Sequence, residues 1–282
     1  MKLALIIDDY LPNSTRVGAK MFHDLAQEFI HRGHDVTVIT PDTGMKEDIS
    51  FDTFQGVKTW RFKSGPLKDV SKIRRAINET LLSYRAWKAI KNRVNKETFD
   101  GVVYYSPSIF WGYLVKKIKS RCQCPAYLIL RDMFPQWVID AGMLNAGSPI
   151  ERYFRLFERI SYRQANRIGL MSDKNLEIFR MTNKGYPCEV LRNWASLTPT
   201  VLPKDYIPLR KRLGLEDKII FFYGGNIGHA QDMANLMRLV RNMAAYPQAH
   251  FLFIGQGDEV ELINSLAAEW ALTNFTLSLI HI

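Results

Sequence analysis

The chain has 282 residues, enough for one large or two medium domains. Hydrophobic residues make up 47% and aromatic residues 12%, which allows a sizeable core and excludes a disordered chain. A formal net charge of +10 calls for a polyanionic neighbour, whether nucleic acid, anionic lipid or a phosphorylated substrate. No apolar run reaches the roughly 18 residues of a spanning helix. The start, Met1 to Asp9, has too short an apolar run for a signal peptide and reads as a first strand. Cys122, Cys124 and Cys188 are an odd set with no zinc-type spacing, which points to reduced thiols in the cytoplasm.

In chain order, Leu3–Ile7 reads as strand one, followed by a loop over Asp8–Arg16 and a glycine, Gly18. Ala19–His31 has helical spacing, with Met21, Phe22, Leu25, Phe29 and Ile30 inward, and Gly33 stops it. Val36–Thr40 and Val57–Phe62 read as strands. Next comes a basic segment. Between Lys58 and Lys96 there are twelve Lys or Arg against two acids, Asp69 and Glu79. Val70, Ile73, Ile77, Leu81, Tyr84 and Trp87 recur there at helical spacing, so 68–96 is expected to be a basic amphipathic helix. Two readings stand for it: a membrane-surface helix, or a solvated outer helix covering a sheet. Phe99–Tyr105 and Ala126–Leu130 are further strands, separated by a short helix over Ile109–Ser120. A helix over Ile150–Arg167, a strand at Arg167–Met171, a helix capped by Ser172 and a strand at Cys188–Leu191 follow. This alternation predicts a parallel sheet.

The rhythm breaks over 193–208, where Pro199, Pro203 and Pro208 crowd the chain, and a second domain is expected from Leu209. Its strand, Ile219–Tyr223, runs into Gly224, Gly225 and Gly228, and a helix is expected over Ala230–Ala245. A second strand, His250–Ile254, ends in Gly255 and Gly257. Two glycine turns thus lie side by side at the carboxyl ends of parallel strands, where open α/β sheets place ligands. Bare backbone amides beside a helix start suit a phosphate or diphosphate. The spacing is neither GxGxxG nor a P-loop, so a dinucleotide oxidoreductase is disfavoured.

Taken together, the stretches IIDDYLPNSTRVGAKMFHDLAQEFIHRGHDVTVITP, LRDMFPQWVIDAGML, VLRNWASLTP, FFYGGNIGHAQDMANLM and FLFIGQGDEVELI resemble glycosyltransferase family 4. The likeness is to bacterial enzymes of O-antigen, capsule and colanic acid assembly, including those transferring an N-acetylated fucosamine. The resemblance implies an α/β GT-B fold, with two Rossmann-like parallel-sheet domains facing a cleft and the second domain incomplete. It also implies retaining, metal-independent transfer from a nucleoside-diphosphate sugar to a lipid-linked saccharide, with no cofactor. The expected divisions are an acceptor domain over 1–198, a linker over 199–208 and a partial donor domain over 209–276.

On that resemblance Gly224, Gly225, Asn226, Gly228, Gln231, Gly255 and Gly257 are the donor-binding candidates. Amide donors aimed at the departing diphosphate lower the barrier to sugar transfer. Relatives often carry an Arg and a Lys after this turn, where His229 and Gln231 stand here. Arg131 and Asp132 are the catalytic candidates, Asp132 either handling the acceptor hydroxyl or capping the next turn. Arg16 and Gly18 are acceptor-side candidates, Arg16 being either a cleft residue or a solvated loop charge. Asn193 and Trp194 are placed at the hinge, and no metal ligands are proposed. The expected partners are a nucleotide sugar, a lipid-linked acceptor and an anionic membrane surface. The expected location is cytoplasmic, peripheral at the inner face of the bacterial inner membrane. The alternatives are a basic nucleic-acid-binding protein, for which no helix-turn-helix, finger or RNP motif is present, and a sugar-nucleotide epimerase of the same fold. The family's paired glutamates find no match. The last six residues, LSLIHI, are encoded by one frame of a common transposon library adapter end, so 277–282 is expected to be a non-native tail. The alternative there is a native strand over Thr276–Ile280.

Overall fold

A computed structural model describes residues 1–14, 16–66, 71–106, 108–197, 199 and 201–278. The chain divides into two compact units, Met1–Thr198 and Pro199–Ile282.

The first unit runs β1 (Lys2–Ile6), α1 (Val17–His31), β2 (Asp35–Asp42), β3 (Ile49–Phe54), β4 (Val57–Lys63), α2 (Lys72–Thr80), α3 (Leu82–Ile90) and β5 (Gly101–Ser106). It continues with α4 (Gly112–Cys122), β6 (Ala126–Leu130), α5 (Gln136–Asp140), α6 (Pro149–Tyr162), β7 (Arg167–Leu170), α7 (Asp173–Thr182) and β8 (Cys188–Val190). Eight strands form one sheet in the order β3-β4-β2-β1-β5-β6-β7-β8. Seven of them are parallel, as the alternation predicts; β3 is the exception and pairs antiparallel with β4. The reason is local. Gln55 and Gly56 both take positive φ, 47° and 83°, and close a tight hairpin between β3 and β4.

Apolar residues of alternate register cover both faces of this sheet. Ala4, Ile6, Tyr104 and Leu128 pack with Leu82, Ala86, Leu114 and Tyr162 on one side. Leu5, Ile7, Val36 and Val38 pack with Phe22 and Ala26 of α1 on the other. Burying each such large side chain is worth about 1.5–3 kcal/mol. The helix starts are written in the chain. Ser148 accepts from the Glu151 amide, Pro149 sits in the first turn, and Glu151 reaches back to the Gly147 amide at 2.8 Å. Ser172 caps α7 in the same way. Trp194 donates its indole N–H to the Met21 carbonyl at 3.0 Å, anchoring the segment after β8 to α1.

The expected long basic helix is two helices. It breaks at Leu81, which is at once the C-cap of α2 and the N-cap of α3. Its expected beginning, Lys68 to Val70, lies outside the described residues. Ile77, Leu81 and Tyr84 are 54%, 38% and 57% exposed, so that part of the stripe faces outward. The residues that hold α3 on the sheet are instead Leu82, Ser83, Ala86 and Ile90. The helix expected over Ile150–Arg167 ends at Tyr162, and α5 was not foreseen.

The second unit contains α8 (Leu209–Arg212), β9 (Ile219–Asn226), α9 (Met233–Asn242), β10 (Ala249–Gln256), α10 (Val260–Glu269) and β11 (Phe275–Ser278). Its three parallel strands run β11-β10-β9, with Ile227, Met233, Met237, Val240, Phe251, Phe253 and Ile263 as the core. Leu277 and Ser278 pair with Phe253 and Ile254, while Leu279–Ile282 lie outside the described residues. The helix expected from Ala230 begins at Met233, because a 3-10 turn over His229–Gln231 comes first. Asp232, at φ 50°, then caps α9 through the Asn235 amide.

Candidate functional site

Each unit carries its candidate residues at the carboxyl ends of its parallel strands. In the first unit the strand order reverses beside β1, which pairs with β2 on one side and β5 on the other. Such a reversal leaves a crevice that suits a ligand. The loops after β1, β5 and β6 converge there. Arg131 donates from Nη1 to the Tyr105 hydroxyl at 3.1 Å and lies 3.3 Å from the Met21 sulfur of α1. A Cβ built on Gly18 would stand 3.4 Å from the same Tyr105 ring. Arg131, Gly18 and Tyr105 are therefore one cluster that ties α1 to β5 and β6. Burial pushes the Tyr105 hydroxyl up, against the pull of Arg131, so it remains a neutral acceptor.

Asp132 lies next to this cluster, and its carbonyl accepts from the Ser106 hydroxyl at 3.3 Å. Asp132 is exposed to solvent. Surrounding protein atoms nonetheless desolvate it and hold its carboxyl above the ordinary aspartate value, with Arg131 opposing. A raised carboxyl beside an arginine at a strand end is equipped to exchange a proton with a hydroxyl. Arg16 sits apart. Its side chain is 59% exposed and lies 3.5 Å from Asp9, on the loop after β1.

In the second unit the two glycine turns pack on each other. A Cβ on Gly255 would strike the Gly225 carbonyl oxygen, and one on Gly257 would strike the Ile227 carbonyl. These two glycines are thus demanded by backbone contact between the turns. Gly224 likewise lies under the Phe222 ring. Gly228 differs, since a Cβ there would meet the side-chain ends of Asn226, Asp258 and Gln231. Along the turn, the Ile227 amide donates to Gln256, Gln231 to Gly228 and Asp232 to His229. Among the described residues, no acceptor pairs the amides of Gly228, His229 and Ala230. Gly228 is extended, with φ −145° and ψ 171°, so its amide and that of His229 point to opposite sides, and His229 and Ala230 carry the orphan donors that open the 3-10 turn.

Asn226 and Gln231 were expected as side-chain donors; the Asn226 amide instead donates to Oε1 of the exposed Gln231 at 3.0 Å. His229 lies 3.4 Å from Glu259 through Nδ1 and is 74% exposed. Glu259 was not singled out in the sequence, because its approach to His229 depends on the packing of α10 beside the turn. Its Oε2 is buried without a hydrogen-bond partner among the described residues. Tyr105 was missed for the same reason, its role arising from side chains far apart in the chain.

Two α/β units with loops gathered at their strand ends match the GT-B fold, and solved structures of that fold superimpose on the chain. Sucrose-phosphate synthase from Thermosynechococcus elongatus aligns with TM-score 0.69 at 15% identity, over 98% of this chain and 70% of that one. WaaG, a glycosyltransferase involved in lipopolysaccharide biosynthesis, aligns with TM-score 0.59 at 16% identity, over 98% and 69%. Residues 18–188 match the description of Glycosyltransferase Family 4, and the chain belongs to that family. Among curated relatives it is 22% identical to a protein of Escherichia coli (strain K12) named as a colanic acid biosynthesis glycosyl transferase, WcaI, over 97% of this chain and 70% of that protein. It is 25% identical to a Pseudomonas aeruginosa protein named as a glycosyltransferase, WbjE, over 50% of this chain and 36% of that one. No helix among the described residues is long and apolar enough to cross a membrane.

Proposed function

We propose that the protein is a retaining glycosyltransferase that moves a sugar, of the N-acetylated amino-deoxyhexose class, from a nucleoside-diphosphate sugar to a lipid-linked saccharide. The product serves surface polysaccharide synthesis at the inner face of the inner membrane, and the reaction runs without a metal. The observation that carries this reading is the pair of unpaired amides at His229 and Ala230, which open the 3-10 turn ahead of α9. A diphosphate gains negative charge as the sugar departs with oxocarbenium character, and fixed N–H dipoles stabilise that charge with little reorganisation. The exposed Gln231 amide and the His229 ring lie on the same turn and add polar contacts. In the first unit Asp132 receives the acceptor proton, and Arg131 with Gly18 and Tyr105 holds its loop in place. Arg16 contributes a positive charge on the acceptor side.

The relatives support the substrate classes in part. One solved neighbour, Anabaena HepE, is described in complex with UDP and glucose. The name of WcaI points to polysaccharide assembly. The basic α2–α3 segment supplies the contact with anionic lipid.

Donor profiling by calorimetry with a panel of nucleoside-diphosphate sugars tests the reading. Micromolar binding of one donor is expected, weakened about tenfold by Gly228→Ala, which adds a methyl against the side-chain ends of Asn226, Asp258 and Gln231. Absence of binding to every nucleoside diphosphate would sink it. An epimerised donor formed without any acceptor would replace it with an epimerase.

A further inference from the structure

The two glycine turns of the second unit are short of positive charge. Residues 224–232 and 255–259 contain no Lys or Arg, and their titratable side chains are His229, Asp232, Asp258 and Glu259. Asp232 is engaged as the cap of α9, accepting from the Asn235 amide at 3.2 Å. Asp258 abuts the first turn, since a Cβ on Gly228 would stand 2.8 Å from its Oδ1. Further along α9, Arg238 donates to Asn235 at 3.0 Å, and the first turn of α10 adds another acid, Glu261. A diphosphate at these turns therefore meets backbone amides and carboxylates, and within the turns themselves His229 is the group that can become a cation.

Glu259 is placed to hold that histidine. It is the N-cap of α10, and its amide donates to the Ile227 carbonyl at 3.0 Å, which fixes it against the turn after β9. From there Oε1 lies 3.4 Å from His229 Nδ1, while Oε2 is buried with no hydrogen-bond partner among the described residues. A carboxylate with a buried, unsatisfied oxygen is costly, and a positive charge beside it offsets that cost. A bond from Nδ1–H to Glu259 also settles the role of the other ring nitrogen. In the neutral ring Nε2 is then an acceptor and meets phosphate oxygens lone pair to lone pair; in the protonated ring it is a donor. The His229 side chain is 74% exposed, so a ligand can reach it.

We infer that Glu259 positions His229 as a proton-switched clamp on the diphosphate, so that the sugar nucleotide binds more tightly when His229 is protonated. The inference rests on the reading of this turn as the diphosphate site. Glu259 is a positioning residue, because it acts on the ligand through His229. Once the ring is neutral, the carboxylates of Glu259 and Asp258 repel an incoming anion, which widens the gap between the two states.

Calorimetry with a panel of nucleoside-diphosphate sugars, run from about pH 5.5 to about pH 8, tests this. Both phosphates of such a ligand are esterified, so its own charge stays constant over that range. The tightest binder should lose about tenfold in affinity as pH rises. His229→Arg should hold the low-pH affinity throughout, and His229→Gln should stay at the weak level throughout. Glu259→Gln should keep the low-pH affinity and move the fall to lower pH, whereas a merely structural role would weaken binding at every pH. NMR titration of the 6 histidines, with the His229 signal assigned by its loss in His229→Gln, reads the same displacement without a ligand. Wild-type affinity that is flat with pH, or a His229 titration unmoved by Glu259→Gln, would overturn the inference and leave the diphosphate assignment standing. No binding of any member of the panel at any pH would end both.

Discussion

The Asp132 carboxyl is raised because neighbouring atoms strip water from its charged form, and Arg131 offsets part of that cost. As proton acceptor it works only when ionised, so the rate should climb with pH as this group deprotonates. Asp132→Asn should lower kcat about a hundredfold or more while leaving donor affinity in place, and should erase that acidic limb. Pre-steady-state transfer across a pH series is the measurement; an unchanged kcat would make Asp132 a turn cap. Glu158 gives a cleaner stability signal, being 3% exposed. It pairs with Arg155 at 3.1 Å and accepts from Tyr162 at 3.1 Å, yet desolvation outweighs both and its carboxyl is raised. The native state then holds this proton more tightly than the unfolded chain does. Stability tied to Glu158 is present below its unfolded value and is lost as pH rises through the folded one. Thermal unfolding of Glu158→Gln from about pH 4 to about pH 8 should therefore gain on the wild type as pH rises.

At the level of single elements, β9 is the most exposed strand. It occupies the edge of its sheet, and Ile219, Phe221 and Phe222 are 61%, 41% and 63% exposed. An apolar edge with unpaired backbone groups is a template for association. Phe222→Lys should raise the concentration at which light scattering appears by about threefold or more, without displacing the turn at Gly228. The chain announced β9 plainly as an apolar run, but its neighbours in space decide whether it is covered. The α2–α3 stripe shows the same limit. Period 3.6 identifies an apolar face from Ile77, Leu81 and Tyr84, yet periodicity cannot say whether that face meets the sheet or the solvent. Here Leu82, Ala86 and Ile90 form a second face, and they are the ones buried. β3 escaped notice because ISFDTF mixes polar and apolar residues and its pairing comes from the Gln55–Gly56 turn. The strand–glycine–helix units were legible since both periods and the turn residues agree there. The reason for each glycine was not legible: Gly255 and Gly257 serve backbone packing, and Gly228 alone of those three sits among side-chain ends.

For the molecule as a whole, the two units differ in how much core each contains. The first buries apolar side chains on both faces of eight strands, while the second gathers a small cluster against three. A small core gives low local stability, so the second unit should exchange its amides faster in native-state hydrogen exchange. If its glycine turn holds the diphosphate, a ligand that binds the folded unit stabilises it by mass action. At about 100 times its dissociation constant the cognate nucleoside diphosphate should add about 2.7 kcal/mol to the opening of that unit. Protection should rise at the turn after β9 and through α9, whose folding fixes the Gly228, His229 and Ala230 amides. A slowdown confined to the loop after β1, with the β9 turn unchanged, would remove the diphosphate from the second unit and assign it to the first.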